Sequence, residues 1–349
     1  MTALRVIQWT TGKVGRHALK ALIEDERFEL VGLYAFSADK VGQDAGDLVG
    51  LPTTGILASN DVDMLISQPA DAVIYTPFEA DIEHLCRLLG SGKNVISTNL
   101  LVNLGGVQNA QTRKRIEAAC STGKSSLYIT GVNPGWINSL TVLLTAVCRR
   151  LDSITIDESA DCSHYSSPET WRALGFGEHD CNDEMRANCR QALVSFQDTV
   201  HRMAEGLDLP LESLEFHVEH ARVSERVDLG WFCMEEGTVG AIRAGWNGMS
   251  EGRVVFRTRV AWYLTRALDC DWVFDDDHYH LVIAGDPGVD TRIRFEAPDY
   301  WARGGWGILT AMPAISAISD VVAAQPGILT LRDVGLSSPG ARESVRVEK

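Results

Sequence analysis

Two glycines and an arginine near the start of the chain have the spacing of a phosphate-binding turn. Gly12, Gly15 and Arg16 follow the apolar segment Leu4–Trp9, and a helical pattern begins at once after them. Glycines at such a turn let the backbone approach a pyrophosphate, and the helix start offers free N–H groups and the positive end of its dipole. The spacing predicts dinucleotide binding, and a tight strand–helix turn without a ligand is the alternative.

The turn lacks one glycine of the usual fingerprint. Thr10 stands where the first glycine normally does, and we expect the hydroxyl groups of Thr10 and Thr11 to contact phosphate instead. Val14, in the first turn of the helix, completes the predicted phosphate contacts. The bulkier Trp9 is predicted to wall the nicotinamide or substrate pocket.

The end of the second predicted strand, Leu30–Phe36, bears on the choice of cofactor. A carboxylate at this place binds the ribose hydroxyls of NAD, whereas basic or hydroxyl groups accept the extra phosphate of NADP. Ser37 and Lys40 therefore favour NADP, although Asp39 opposes it and NAD stays open. A solvated loop charge is the alternative interpretation of Lys40.

Three further strand ends are predicted to line the same cleft, because ligands bind outside the carboxyl ends of parallel strands. Asn133 is predicted to bond the cofactor's carboxamide or to orient a substrate, and Trp136 to line the substrate pocket. The remaining predicted cofactor contacts at these strand ends are Thr76, Pro77, Ser97, Thr98 and Asn99.

A later segment, Asp161–Pro168, gathers groups that can transfer protons. His164 and Tyr165 are the candidate general acids or substrate hydrogen-bond donors, with a purely structural role as the alternative. His278 and His280 share one face of a predicted strand. No third ligand is obvious for them, so no metal site is predicted.

The elements that must position these residues change character along the chain. In residues 1–150 short apolar runs alternate with amphipathic helices, which predicts a Rossmann-type, doubly wound parallel sheet. Residues 151–304 predict a second α+β domain for substrate binding and dimerisation, built on a mostly antiparallel sheet with a turn at Asn247-Gly248 and a helical stretch over 184–205. Residues 305–336 are predicted to pack back on the first domain.

Composition limits the classes of partner. The chain has 349 residues and a net charge of −15, which argues against a general nucleic-acid binder. No apolar run reaches the roughly 20 residues that span a bilayer, and the start lacks the pattern of a signal peptide. Eight cysteines without C-x-x-C spacing suggest a reducing compartment, so we expect a cytoplasmic protein.

Motifs in both predicted domains resemble a known superfamily. The glycine turn, Tyr75-Thr76-Pro77, the segments 92–98 and 131–135, Ser163–Pro168 and 314–327 look like those of dihydrodipicolinate-reductase-like proteins. The match is closest to 2,4-diaminopentanoate dehydrogenase and the native amine dehydrogenases. This resemblance implies an NAD(P)-dependent homodimeric oxidoreductase that acts on a small molecule.

The chain departs from these relatives where their chemistry is carried out. The amine-handling relatives carry a glutamate soon after the fifth strand, but here Asn99–Asn103 contains no acid. The His-His…Lys cluster of the reductases and the Glu-Lys-Pro of sugar oxidoreductases are also missing. Leu100 and Leu101 therefore predict an apolar substrate pocket, and hydride transfer to or from a carbonyl or preformed imine, or the matching alcohol or amine.

Two alternatives stay open at this point. The chain could bind NAD(P) without catalysis, as a redox sensor or regulatory protein. It could instead be an amine dehydrogenase whose acid has moved to Asp161 or Glu169.

Overall fold

The protein divides into two compact units, each described by itself. A computed structural model describes residues 2–99, 110–179, 182–274, 278–296, 298 and 305–335. The first unit takes in the described residues of Met1–Leu140 and Trp306–Lys349, and the second those of Thr141–Gly305. The division thus lies at Leu140, inside a helix, whereas the composition suggested residue 150.

The first unit is built on a parallel sheet of seven strands in the order β15-β6-β5-β4-β1-β2-β3. Its strands are β1 (Leu4–Trp9), β2 (Phe28–Tyr34), β3 (Ala58–Ser59), β4 (Ala72–Tyr75), β5 (Asn94–Ser97), β6 (Ser126–Ile129) and β15 (Gly327–Ile328). Its helices are α1 (Lys13–Glu24), α2 (Val62–Ser67), α3 (Ile82–Gly90), α4 (Ala110–Gly123) and α9 (Gly307–Ala323).

Continuous apolar runs explain why these strands are central. Every residue of β4 and of β6 is buried, as expected for strands covered on both faces by helices. One face packs on α1 and α9 through Val6, Ile74 and Ile96. The other face packs on α3 and α4 through Ile7, Val73 and Val95.

The last described helix returns to the first unit. α9 packs against α1 and buries an alanine- and isoleucine-rich stripe, and β15 then pairs in parallel with β6. The stripe comprises Ala311, Ala314, Ile315, Ala317, Ile318 and Val321.

The second unit is built on a mixed sheet of six strands in the order β14-β13-β7-β12-β11-β8. Only the β12–β7 pair is parallel; the other neighbours are antiparallel. The strands are β7 (Arg150–Asp161), β8 (Ser213–Arg222), β11 (Val239–Ser250), β12 (Arg253–Tyr263), β13 (His278–Asp286) and β14 (Val289–Arg294), with a small hairpin of β9 (Val227–Asp228) and β10 (Cys233–Met234).

Helices lie against one face of this sheet. α8 packs on β11 and β12, and α7 packs on β8. The second-unit helices are α6 (Pro168–Ala173), α7 (Asp183–Ala192) and α8 (Gln197–Leu207), while α5 (Ile137–Leu144) spans the division between the units. The fold class predicted from the sequence, a Rossmann-type parallel sheet with a second α+β domain, is confirmed.

Two local predictions in the second unit are wrong. β11 continues through Asn247-Gly248, because both residues stay paired with β8 and β12, and the chain reverses at Glu251 and Gly252. These two residues have positive φ angles of 50° and 69°, as a tight hairpin turn requires. The helical stretch over 184–205 is also interrupted, by a short 3₁₀ turn at Val194–Phe196.

Candidate functional site

The glycine turn connects β1 to α1 at the carboxyl edge of the parallel sheet. A Cβ at Gly15 would lie 2.4 Å from the carbonyl oxygen of Thr10 and 2.7 Å from Oγ1 of Thr76. Both distances are too short for any side chain. Gly15 is therefore required because α1 packs directly on the turn.

Thr10 holds the backbone conformation that the missing glycine would adopt freely. Its φ angle is 75°, in the left-handed region, which costs a non-glycine residue about 1–2 kcal/mol. A β-branched residue is rarely found there. The surrounding structure must therefore stabilise this backbone conformation of Thr10.

A partly buried hydrogen-bond network surrounds Thr10. Gln8 Nε2 donates to the Thr10 carbonyl oxygen at 2.8 Å and to Thr76 Oγ1 at 2.9 Å. The Thr76 hydroxyl donates to the Trp9 carbonyl oxygen at 3.0 Å, and the hydroxyl oxygens of Thr10 and Thr76 lie 3.2 Å apart. The network links the end of β1 to the end of β4.

The orientation of the Gln8 amide follows from these contacts. A carbonyl oxygen can only accept, so the nitrogen of the amide must face Thr10. The other amide atom, Oε1, is buried without a hydrogen-bond partner among the described residues. A buried polar atom without a partner lowers the stability of the folded state by about 1–3 kcal/mol, so the Oε1 atom of Gln8 is destabilising.

The start of α1 has the features of an anion-binding site. Gly12 is the N-cap residue and gives the helix no side-chain cap, whereas Asp61 and Asp81 cap α2 and α3. No described atom lies within 4 Å of a Cβ placed at Gly12, so the space beside it is open. Arg16 is exposed on the first turn, and an anion here would occupy the place of the missing cap.

The loop after β2 brings a second cation to the same turn. Lys40 Nζ donates to the carbonyl oxygen of Thr11 at 3.1 Å, and Thr11 itself is buried. Ser37 is half-buried and its carbonyl oxygen accepts from the Lys40 backbone N–H, while Asp39 is exposed. Lys40 therefore contacts the turn and is not only a solvated charge.

Asp44 holds this loop in shape. Its carboxylate accepts from the backbone N–H groups of Gly46, Thr54 and Gly55 at 2.7–2.9 Å. Burial works to raise the pKa of Asp44, but these hydrogen bonds outweigh it, and the pKa lies below its usual value. The carboxylate is thus a structural anchor for the segment that carries Lys40.

The ends of β4 and β5 are tied together by Asn99. Its Nδ2 donates to the carbonyl oxygens of Pro77 at 3.1 Å and Phe78 at 2.7 Å, and the Thr98 backbone N–H donates to Tyr75. These bonds hold the two strand ends side by side. Leu100 and Leu101, the predicted substrate-pocket residues, lie outside the described residues.

Three predicted contact residues are buried, and this burial contradicts the predicted pocket-wall role of Trp9. The side chain of Trp9 is 1% exposed and lies in the core, because residue 9 points to the α3 side of the sheet. Its ring stacks on the ring of Tyr34, with the two ring centroids 4.4 Å apart. It is not a pocket wall. Ser97 is fully buried and its hydroxyl bonds the backbone of Asn99, while the Thr76 hydroxyl belongs to the network around Thr10.

The tyrosines beside Trp9 are kept neutral. Burial raises the pKa of Tyr75 to about 12, and burial also raises the pKa of Tyr34. This aromatic cluster lies under the strand ends as apolar support and supplies no proton near neutral pH.

The turn after β6 carries two further predicted site residues. Asn133 is half-buried, and Trp136 is 36% exposed. Gly135 has a φ angle of 148°, and a Cβ there would lie 2.8 Å from Oγ1 of Thr130, so the turn requires glycine. Its N–H donates to Asn138 at 2.7 Å, which fixes the shape of the turn.

The predicted proton-transfer residues belong to the second unit. His164 and Tyr165 follow β7 and are exposed, and the Tyr165 ring packs edge-on against Trp171 at 5.9 Å. Asp161 ends β7 and accepts from the Ser163 N–H at 2.9 Å, and Glu169 is exposed in the first turn of α6. His280 lies 3.0 Å from Asp290 on β14.

The described part of the chain lacks both a cluster of metal ligands and a membrane-spanning helix. It contains no group of three or more His, Cys, Asp or Glu side chains that could hold a metal ion. Among the same residues, no helix has the length and apolar character needed to cross a bilayer.

Gln8 is not among the site residues predicted from the sequence. The signal was present, because Gln8 is a polar residue between the apolar Ile7 and Trp9 in a strand expected to be buried. In such a strand a polar side chain needs a specific partner. Here the partners are the strained turn and the neighbouring strand end.

Comparison with known proteins agrees with this architecture. Residues 6–101 match the family described as dihydrodipicolinate reductase, N-terminus, and residues 136–346 match the 2,4-diaminopentanoate dehydrogenase C-terminal domain. An amine dehydrogenase from Streptomyces virginiae is 29% identical over 95% of this chain and 96% of its own length.

Solved structures show the same fold. The amine dehydrogenase from Mycobacterium smegmatis covers 96% of this chain and 97% of its own, with a TM-score of 0.75 at 18% identity. Biliverdin reductase from Synechocystis, solved with biliverdin and NADP+, covers 95% and 94%, with a TM-score of 0.51 at 13% identity. The chain therefore belongs to the family of the 2,4-diaminopentanoate dehydrogenase C-terminal domain and is an NAD(P)-dependent oxidoreductase.

Proposed function

We propose that the protein is an NADP-dependent oxidoreductase that transfers hydride to or from a small, rather apolar carbonyl or imine, or the matching alcohol or amine. The observation that carries the proposal is the uncapped start of α1, with open space at Gly12 and the cations of Arg16 and Lys40 beside it. This arrangement fits a dinucleotide pyrophosphate. The bound nicotinamide supplies or accepts the hydride.

Several of the predicted residues have separate roles in this proposal. The backbone of the glycine turn and Arg16 hold the pyrophosphate. Ser37 and Lys40 contact the 2′-phosphate of the adenosine ribose, which favours NADP over NAD. Asn133 orients the carboxamide or the substrate, and Tyr165 and His164 donate or accept the proton that accompanies hydride transfer.

The substrate class rests on the sequence after β5. Residues 99–103 contain two leucines and a valine but no acid, so a charged amine has no carboxylate partner in this segment. An apolar carbonyl or preformed imine is therefore the substrate that we propose. We also propose that two copies of the chain form a homodimer, which sedimentation of the full chain at micromolar concentration tests.

A second candidate is favoured by one comparison. The relative that matches 95% of the chain is named an amine dehydrogenase, so reductive amination with an acid at another position is the alternative activity. Asp161 and Glu169 are the acids that we propose for this case. If reductive amination is the activity, the oxidation of NADPH in the presence of a ketone must depend on added ammonium.

Cofactor binding is tested first, by fluorescence titration of the full chain with NADPH and NADH. We expect NADPH to bind more tightly, and Lys40→Met to weaken NADPH binding more than NADH binding. Gly12→Ala should weaken both about tenfold without lowering the melting temperature, because its methyl group enters the open space of the phosphate site. The matched control is Gly90→Ala, which also enters open space, at the end of α3. Absence of binding by either cofactor below millimolar concentration overturns the proposal.

Catalysis is tested separately, with a panel of apolar ketones, aldehydes and cyclic imines, each with and without ammonium. Turnover that needs no ammonium supports the first candidate, and turnover that requires it supports the second. Tyr165→Phe and His164→Ala should each lower kcat with little change in the cofactor dissociation constant. Unchanged turnover in both variants removes these two assignments.

A further inference from the structure

We propose that Gln8 and Thr76 are positioning residues that hold Thr10 in the left-handed conformation needed for cofactor binding, in place of the glycine that the turn lacks. This inference rests on the proposed cofactor site at the glycine turn. It adds two residues that act on the cofactor only through the backbone of a third. Thr76 thereby loses the direct cofactor contact that its position in the sequence suggested.

The backbone at residue 10 is strained. Thr10 has a φ of 75°, and its carbonyl oxygen lies so close to α1 that Gly15 admits no Cβ. A change in the backbone angles at Thr10 would therefore move the start of α1 as well. The position of the phosphate-binding N–H groups depends on the conformation of one strained residue.

The strained residue is held from two sides. Gln8 Nε2 binds the carbonyl oxygen of Thr10, and the Thr10 hydroxyl lies 3.2 Å from that of Thr76. The Thr76 hydroxyl is in turn fixed by the carbonyl oxygen of Trp9 and by Gln8. The bonds of the Thr76 hydroxyl to Gln8 and Trp9 are buried, so water does not replace them when they are removed. The two bonds that reach Thr10 itself are partly buried.

The Oε1 atom of Gln8 has no hydrogen-bond partner in the described part of the chain, so a leucine would suit this buried position better. The presence of an amide at this position is explained by its nitrogen, which donates hydrogen bonds to both Thr10 and Thr76. A contribution to the shape of the turn accounts for a residue that the core alone would not favour.

A double-mutant cycle tests the proposal, with the NADPH dissociation constant of the full chain as the readout. Gln8→Leu and Thr76→Val should each weaken NADPH binding about tenfold, whereas Thr76→Ser, which keeps the hydroxyl, should stay within about twofold of the wild type. In a Thr10→Gly background the same two substitutions should cost less than about twofold, because glycine adopts a positive φ without support. Thr258→Val, another buried threonine, located in the second unit, is the control and should leave the affinity unchanged.

The outcomes separate this inference from the proposed function. If the wild type binds neither cofactor, the proposed function fails. If the wild type binds but Gln8→Leu and Thr76→Val bind equally well, or lose the same affinity in the glycine background, the positioning role is overturned. Should Gln8→Leu fail to fold, as judged by circular dichroism, the Thr76→Val and Thr76→Ser pair decides the question alone.

Discussion

The two sheets of the protein use their side chains in different ways. In the seven-stranded sheet neighbouring residues are both buried, since each face lies under helices. In β12 of the six-stranded sheet the burial alternates: Phe256, Thr258 and Val260 are buried, whereas Arg257 and Arg259 are partly exposed. The first sheet therefore offers its chemistry at strand ends and through the backbone, whereas the second offers side chains along one face.

The largest effect is expected in the second sheet. Trp246 is fully buried and its Nε1 donates to the Leu193 carbonyl oxygen, so Trp246→Ala should cost about 3–5 kcal/mol of stability. The adjacent Asn247→Ala, on the other face, should cost less than about 1 kcal/mol. Urea denaturation followed by circular dichroism measures both. Equal costs would contradict the alternation.

In the first sheet both members of a neighbouring pair should be costly. Ile74 and Val73 are each fully buried, on opposite faces of β4. We expect about 2–5 kcal/mol for Ile74→Ala and about 2 kcal/mol for Val73→Ala. The same denaturation experiment applies, and a negligible cost at Val73 would show that this sheet is also one-sided.

The contribution of Asp44 to the stability of the first unit depends on pH. Asp44→Asn should destabilise the protein by about 1–3 kcal/mol near neutral pH, because the loop loses charge-assisted hydrogen bonds. The pKa of Asp44 is lowered in the folded state, so this advantage is complete above the unfolded-state pKa of about 3.9. It disappears as the pH falls through the folded-state pKa.

The measurement for Asp44 is the difference in urea midpoint between wild type and variant from pH 7 to pH 3. Thr54→Val, which removes only the side-chain donor, is the milder control. A difference that stays constant over this pH range would show that the charge of Asp44 plays no part.

The smallest effect is expected on the partly exposed face of the second sheet. Arg259 donates to Asp157 at 2.6 Å, but both side chains reach solvent. Arg259→Met should therefore cost about 1 kcal/mol or less, and less again in 1 M salt. Thermal denaturation at two salt concentrations tests this. A larger loss of stability that does not depend on salt would indicate that the Arg259–Asp157 pair is buried.

The parts of the fold that the sequence predicted correctly are those with strong local patterns. The strand at Leu4–Trp9 was bounded correctly, because its largely apolar residues are typical of a buried parallel strand. The Asn247-Gly248 turn was wrong because a local hairpin signal was overridden by pairing with two neighbouring strands. Glu251-Gly252, which makes the turn, carries a weaker signal.

In the candidate site, too, local patterns were predicted correctly and contacts between strands were not. The glycine turn could be located from spacing alone, but the burial of Trp9 depends on which face of the sheet residue 9 occupies, which a buried run does not reveal. The link between Gln8 and Thr76 joins residues on two strands. Such a contact follows from the strand order, β4 beside β1, and no local pattern encodes it.

The return of α9 to the first unit has a consequence for synthesis of the chain. Residues 2–140 leave the ribosome long before α9, so the sheet face formed by Val6, Ile74 and Ile96 is covered by α1 but not by α9 while the whole second unit is made. The nascent first unit thus exposes an apolar surface of the kind that chaperones bind. Its folding is completed by α9, which the ribosome delivers only after the whole second unit.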